Sequence, residues 1–294
     1  MAKILITGGT GLVGKRLTQI LLSKKHDVRI LSRNPSAKNE YKWDVTSNYI
    51  DEKALINLDY IIHLAGAGIA DKRWTTERKK LIINSRVETA NLIFSKIKEL
   101  NISLKGFISS SGSNFYGAKT VKKIFEETDK AGNDFLGDVC LKWEISAHQF
   151  EKLKIPVTIL RSGIVLSKNG GALEKMKTPI VSPLGSGNQY LSWIHIDDLC
   201  YIYTTIIENK ISGIFNAVSP EFHNSKSFSK ILAEKIKKPF LPLAIPSILL
   251  KLFFGELAII LLEGSRLSSK KIEEVGFQFK FKSLSKALSN LFEK

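Results

Sequence analysis

Two cysteines in a chain of 294 residues supply no disulfide framework, and Cys140 and Cys200 lack metal-ligand spacing. Each thiol is read as a small buried hydrophobe, in a reducing, cytoplasmic setting and with no metal called for. No secretory leader is expected either. An apolar strand at Lys3–Thr7 begins almost at the first residue and leaves no room for a charged region, an apolar region and a cleavage site. Nor is there an uninterrupted apolar run long enough to span a bilayer. The nearest, Ala244–Leu262, is broken by Lys251 and Glu256, and a charge near the bilayer centre costs about 2.5–3.5 kcal/mol. That stretch is read as a core helix packing one lobe on the other. Internal repeats and low-complexity tracts are missing as well.

Acidic residues are in deficit: 28 Asp and Glu face 44 Lys and Arg, a net charge of +16. Such an excess is compatible with nucleic-acid binding. The basic residues are mostly lysine, however, they are scattered along the chain, and no basic run is interleaved with aromatics that would stack on bases. The charge therefore reads as a solvated surface that steers anions weakly, not as a nucleic-acid face. With 44% hydrophobic residues the chain has ample material for a core.

What is present is an alternation of short apolar runs with helical periods. Strands are predicted at Lys3–Thr7, Val28–Leu31, Asp59–Leu64, Leu104–Ser109 and Val157–Leu160, and helices at Leu12–Lys24, Val87–Leu100 and Phe135–Leu153. That order implies βαβ units and an α/β, Rossmann-type, doubly wound parallel sheet. After Arg161 the regularity weakens into glycine- and proline-containing loops and mainly helical stretches. The division predicted is a dinucleotide-binding domain over residues 1–161 and a smaller, mainly helical substrate-side lobe over 162–294, packed together and open to interleaving.

Between the first strand and the first helix stands Thr7-Gly8-Gly9-Thr10-Gly11-Leu12-Val13-Gly14. Gly8 permits a tight turn, Gly11 lets the backbone approach a pyrophosphate, and Gly14 allows helix to pack on strand, while the helix N-terminus offers unpaired amides. Thr10, Leu12 and Val13 complete the candidate cradle. At the tip of the second strand, Ser32-Arg33 replaces the carboxylate that would bind a ribose 2′-hydroxyl, and a guanidinium there favours NADP over NAD. Asp44 is a candidate acceptor for the adenine amino group, or a solvated loop acid.

With these residues in place the chain resembles the short-chain dehydrogenase/reductase superfamily, in its extended, epimerase/dehydratase-like branch. His63-Leu64-Ala65-Gly66, Asp71-Lys72-Arg73-Trp74, the Ser-Arg-Val-Glu-Thr run at 85–89, Ser192 to Asp198 and Gly276-Phe277-Gln278-Phe279 carry a closer resemblance. It is to an atypical subgroup of NADP-dependent, sugar-nucleotide epimerase-like proteins with a C-terminal domain of unassigned role, some of which bear the label cell-division inhibitor. The resemblance implies NADP across the carboxyl ends of the strands, with Leu64, Ala65 and Gly66 behind the adenosine ribose. His63 is read as a core residue.

The superfamily uses a tyrosine as acid/base, a lysine four residues later that lowers its pKa and holds the nicotinamide ribose, and a serine that polarises the substrate. By that resemblance Ser111 is the candidate serine and Lys142 the candidate ribose ligand. Four residues before Lys142, however, stands Asp138, so the pair is broken. Tyr116, in the loop after Ser111, is a candidate substitute or an aromatic packing that loop. On the substrate side, Arg73 and Trp74 are placed at the mouth of the pocket. The Leu184–Gln189 loop, with Gly187 and Gln189, is a candidate receptor for phosphate or sugar hydroxyls, and Trp193 an aromatic wall. His195 is placed on a strand and Asp197 at a helix N-cap, which favours structural roles for both. Two functions follow: an NADP-dependent oxidoreductase or epimerase of a small polar substrate such as a sugar nucleotide, or a non-catalytic NADP-binding regulator or redox sensor linked to cell division.

Overall fold

The computed structural model describes residues 1–293. Strand β1 (Lys3–Thr7) enters the centre of the main sheet, and Ile4, Leu5 and Ile6 lose all contact with solvent. Covered on both faces, it is a continuous apolar run, as a central parallel strand must be. The first half continues with α1 (Leu12–Ser23), β2 (Asp27–Ser32), β3 (Glu40–Asp44), β4 (Tyr49–Ile50), β5 (Tyr60–His63), α2 (Thr76–Glu99), β6 (Gly106–Gly112), β7 (Ile124–Phe125), α3 (Phe135–His148) and β8 (Val157–Ser162). The second half carries β9 (Ile164–Leu166), α4 (Ala172–Met176), β10 (Trp193–His195), α5 (Ile196–Asn209), β11 (Gly213–Ala217) and α6 (Ser225–Lys235). It ends with α7 (Ser247–Phe254), α8 (Ile259–Leu262), β12 (Arg266–Leu267), α9 (Lys270–Glu274) and α10 (Leu284–Phe292).

Eight strands form one sheet in the order β11-β8-β6-β5-β1-β2-β3-β4, parallel throughout except where β4 turns back on β3. This is the Rossmann-type, doubly wound arrangement, with a smaller and mainly helical C-terminal lobe. Helices of the crossovers start at the carboxyl edge of the sheet, which is where such folds hold ligands.

Two features depart from the sequence reading, and a third concerns where the lobes divide. β3 is five residues long and buries only Trp43 fully, so its Tyr41 and Trp43 alternation is too short to stand out in the sequence. Helix α2 begins at Thr76 rather than Val87, because Thr75 accepts from Arg78 N and caps a polar first turn. Beyond residue 161 the chain does not stay in one lobe. β11 pairs with β8, setting Phe215 beside Leu160, and one cluster joins Ile4, Leu17, Leu160, Ile202 and Phe215 with Phe277. The predicted 161/162 boundary thus runs through a single core.

The expected core helix over Ala244–Leu262 is corrected. Pro246 opens α7 and Gly255, at φ +59°, ends it after eight residues. Of α7 only Leu250 is buried, while Ile248 and Leu252 are 74% and 72% exposed. No helix among the described residues is long and apolar enough to cross a membrane. Both cysteines are buried and free.

His63 closes β5 inside the core. The Trp143 indole N–H donates to its Nδ1 at 3.1 Å, so the ring proton sits on Nε2, facing Thr89 Oγ1 at 2.9 Å. Burial, helped by the nearby Arg86 charge, pushes its pKa down to about 3; burial likewise pushes His195 down to about 4. Each ring is neutral when folded but takes a proton when unfolded at acidic pH. Stability is therefore fully present above the unfolded value of 6.5 and is lost as pH falls towards the folded values. Each histidine is expected to contribute up to about 1.4 kcal/mol per pH unit across that window. Urea unfolding at stepped pH checks this: His63→Leu should flatten the slope by one proton, and an unchanged slope would refute the buried neutral ring.

Candidate functional site

The turn after β1 is tight because Gly11 N donates to Gly8 O at 3.0 Å, with Gly8 at φ +69°. A Cβ on Gly14 would lie 2.3 Å from Gly8 O, so only glycine lets α1 sit this close to the turn. The N-cap, Gly11, offers no side chain, and the first bond to it comes from Lys15 N at 2.9 Å. The amides of Leu12, Val13 and Gly14 consequently have no partner inside the helix, at the positive end of its dipole. Thr10 is exposed at the mouth of the turn. Leu64, Ala65 and Gly66 leave β5 directly alongside: Leu64 N donates to Thr7 O and Ala65 N to Thr7 Oγ1, both at 3.2 Å. The residues proposed from two separate segments thus converge.

Arg86, in the run at 85–89, carries no role that the sequence alone reveals. It lies 6% exposed under this segment and donates to Ala67 O at 3.0 Å and Ile82 O at 2.7 Å. Burial lowers its pKa to about 10, which leaves it cationic at neutral pH.

At the tip of β2, Ser32 is buried and its Oγ accepts from Asn34 N at 3.3 Å, while Arg33 is exposed and has no ion-pair partner among the described residues. Lys42 pairs in register with Ser32, and its ammonium reaches the Arg33 carbonyl. Two cations therefore flank the tip. Lys42 was missed because its strand was missed. Asp44 accepts from Thr46 N at 2.9 Å, which holds its carboxyl below the usual range and ties it to its own turn.

The chemical residues are placed less favourably. Ser111 ends β6 as expected, but it is 2% exposed and its hydroxyl donates to Glu144 Oε1 at 2.7 Å. Tyr116 has no solvent exposure; its hydroxyl donates to Asn216 Oδ1 at 2.7 Å and accepts from Arg161 at 3.0 Å. Burial pushes its pKa up to about 12, which corrects the reading of Tyr116 as an acid/base in the pocket. Lys142 is corrected too. It pairs with Asp138 at 2.7 Å on the exposed face of α3, whereas Leu136, Val139, Cys140, Trp143 and Glu144 form the buried face. Leu136 and Cys140 are one of the inward pairs a helical turn apart, with Cys140 Sγ 3.6 Å from the place a Gly112 Cβ would take. Burial raises the Cys140 pKa to about 11, so the thiol is neither a cation nor a useful acid.

On the substrate side the predictions separate. Trp74 lines a cavity of about 830 Å3 at the carboxyl edge, between the start of α3 and the α7–α8 region. Arg73 does not face into it; its guanidinium donates to the carbonyls of Leu252 and Phe253 and closes the end of α7. Gln189 is a structural tie, its amide donating to Leu184 O at 2.9 Å and Leu261 O at 2.7 Å. Gly187 N donates to Leu184 O, so that amide is spent within the loop. Trp193 is wholly buried with Leu166, Phe228 and Leu284 and forms no pocket wall. His195, not Asp197, caps α5, its Nδ1 accepting from Asp197 N at 3.1 Å, and Asp197 pairs with Arg16 at 2.6 Å.

A model of the NAD dependent epimerase/dehydratase family matches residues 4–217, and one of a domain of unknown function (DUF1731) matches residues 245–291. An epimerase family protein of Staphylococcus aureus (strain NCTC 8325 / PS 47) is 35% identical over 301 aligned residues, which cover 100% of both chains. The crystal structure of human epimerase family protein SDR39U1 (isoform2) with NADPH matches with a TM-score of 0.87 and 30% identity, over 99% of each chain. UDP-glucuronic acid 4-epimerase from Bacillus cereus, solved with UDP-glucuronic acid and NAD, shares the fold with a TM-score of 0.76 at 21% identity, covering 99% of this chain and 98% of that one.

Glu144 and Arg161 form the buried core of the Ser111 and Tyr116 arrangement, while Lys142 stands outside it. Removing one partner of a buried pair leaves an uncompensated charge, so Glu144→Gln is expected to cost about 3–5 kcal/mol in chemical denaturation. Lys142→Ala should change stability by less than about 0.5 kcal/mol. Comparable losses for the two would contradict the placement of Lys142 on the solvent face.

Proposed function

Because the chain belongs to the NAD dependent epimerase/dehydratase family, we propose that it is an NADP(H)-dependent oxidoreductase or epimerase of the extended short-chain dehydrogenase/reductase type that lacks the Tyr–Lys proton relay. The observation that carries the reading is the uncapped start of α1 behind Gly8, Gly11 and Gly14, beside a β2 tip bearing two cations and no carboxylate. The NADPH bound by the human relative suits that chemistry. In this chain the amides of Leu12, Val13 and Gly14 would receive the diphosphate, and Arg33 with Lys42 the 2′-phosphate. Leu64, Ala65 and Gly66 would support the adenosine half, with the buried Arg86 holding the next carbonyl, that of Ala67.

When bound, the coenzyme supplies a hydride donor or acceptor. This chain's residues bind and orient it, and the apolar side chains of Leu136 and Trp74 exclude water from the cleft. Two buried free thiols fit a reducing, cytoplasmic compartment. A sugar nucleotide is the substrate class that the resemblance suggests, and the choice for this chain rests on what lines the cleft.

A second reading, a non-catalytic NADP-binding regulator, is favoured by one observation: Lys142 and Asp138 lie on the exposed face of α3, while Leu136 and Cys140 on its buried face offer no group that exchanges a proton at neutral pH. Under that reading NADPH is bound and not consumed by any substrate.

The coenzyme assignment is checked by quenching of tryptophan fluorescence on titration with NADPH and NADH. Arg33→Glu should weaken NADPH by about tenfold or more, since a hydrogen bond to a charged group contributes about 1.5–3 kcal/mol. Lys42→Glu should shift it the same way, with NADH little affected by either. Equal losses for both coenzymes would remove the 2′-phosphate from this tip, and no saturable quenching by either would end the reading.

A further inference from the structure

The cavity at the carboxyl edge has an unusual lining for a family that handles nucleotides. Its walls are Trp74 after β5, Phe135 and Leu136 at the start of α3, and Ile259 and Leu262 on α8. Trp74 and Phe135 meet edge to face with ring centroids 4.9 Å apart. The Trp74 N–H is already given to Ile69 O at 2.9 Å, so its ring presents only carbon to the cavity.

Charge in the cleft runs opposite to charge on the rest of the protein. The chain is strongly basic, at +16, yet the cavity is lined by Asp134, Glu256 and Glu263 against Lys251 alone. Three carboxylates less one ammonium leave a formal charge of −2 in the lining. Lys79, which pairs with Glu256 from α2, reduces the imbalance and does not reverse it. Asp134 accepts from Gly137 N at 2.9 Å and Ala118 N at 2.5 Å, and Glu263 accepts from Thr120 Oγ1 at 2.6 Å. None of these partners brings a positive charge.

The groups that would receive a diphosphate are also spent. Arg73, the guanidinium beside Trp74, is held by the carbonyls of α7. In the loop that carries Ser186 into the cavity, Gly185 N donates to Ile245 O, Gly187 N to Leu184 O and Asn188 N to Ser186 Oγ. The loop therefore offers no nest of free amides. Leu262 packs over it instead, 2.6 Å from where a Gly185 Cβ would stand.

We infer that this cleft takes an uncharged substrate with an apolar body and disfavours nucleoside diphosphate sugars. The inference deepens the coenzyme-dependent reading above and rests on it. A diphosphate entering the cleft meets a net like charge with Lys251 as the one lining cation among the described residues to offset it, whereas an apolar chain meets aromatic and branched aliphatic carbon.

The test uses the full chain saturated with NADPH, with energy transfer from tryptophan to NADPH as the control, and calorimetric titration with octanone and with UDP-glucose. Octanone should bind saturably, and UDP-glucose should give no binding heat at the same concentrations. Leu262→Glu should weaken octanone by about tenfold with energy transfer retained, and a Glu256→Lys, Glu263→Lys variant should gain UDP-glucose binding. Tighter binding of UDP-glucose than of octanone to the unaltered protein, or octanone binding indifferent to Leu262→Glu, would overturn the inference. Absence of energy transfer would overturn the coenzyme reading first, and the inference with it, so the two failures are told apart.

Discussion

A carboxylate and a guanidinium, both almost out of reach of solvent, meet where α3 crosses β8. Arg161 grips Glu144 through two nitrogens, Nε at 2.9 Å and Nη2 at 2.8 Å, and stacks over the Phe115 ring at 3.3 Å. Neither charge would be tolerated alone at that depth, and the fork geometry is what makes the pair stable. Everything polar around it is organised by it. Ser111 from β6 donates to Glu144, Tyr116 joins Arg161 to Asn216, and Asn216 N on β11 reaches Glu127 at 2.7 Å. Three neighbouring strands of the sheet are thus tied at their carboxyl ends by one ionic network, which also draws the late strand β11 into the first domain.

That network has a consequence for chemistry. The serine and tyrosine nearest to the expected catalytic positions are consumed as ligands of a structural ion pair, and burial keeps the phenol protonated. The lysine faces solvent with Asp138. On its buried face α3 presents Leu136 and Cys140, one helical turn apart. Holding a dinucleotide and moving a proton are therefore separate capacities in this fold. The first depends on backbone amides and glycine, which the network leaves alone. The second would draw on hydroxyls such as those of Ser111 and Tyr116, which the network holds.

The C-terminal segment completes the cleft with a different chemistry. Arg73 closes α7 by capping its last carbonyls, and α8 lays Ile259 and Leu262 against the aromatic pair of Trp74 and Phe135. α7 itself remains largely exposed, since Pro246 and Gly255 confine it to about two turns, too short to bury a face on both neighbours.

How much of this could be read from the linear chain follows from the range of the forces involved. Local geometry was legible: β1, the glycine turn and α1 were recognisable because turn, cap and periodicity are written within a few consecutive residues, and so was the cation at the β2 tip. By itself the sequence determined the parallel α/β architecture and a dinucleotide cradle without a carboxylate. Only the tertiary structure decided which way side chains point. The four-residue spacing of Asp138 and Lys142 is a helical repeat whichever face it occupies, and nothing local reveals that Leu136 and Cys140 turn inward. Long-range partners were equally hidden: Lys42 at Arg33, Tyr116 at Arg161 and β11 at β8 depend on residues far apart in sequence, brought together by burial and charge pairing that exist once the sheet has closed.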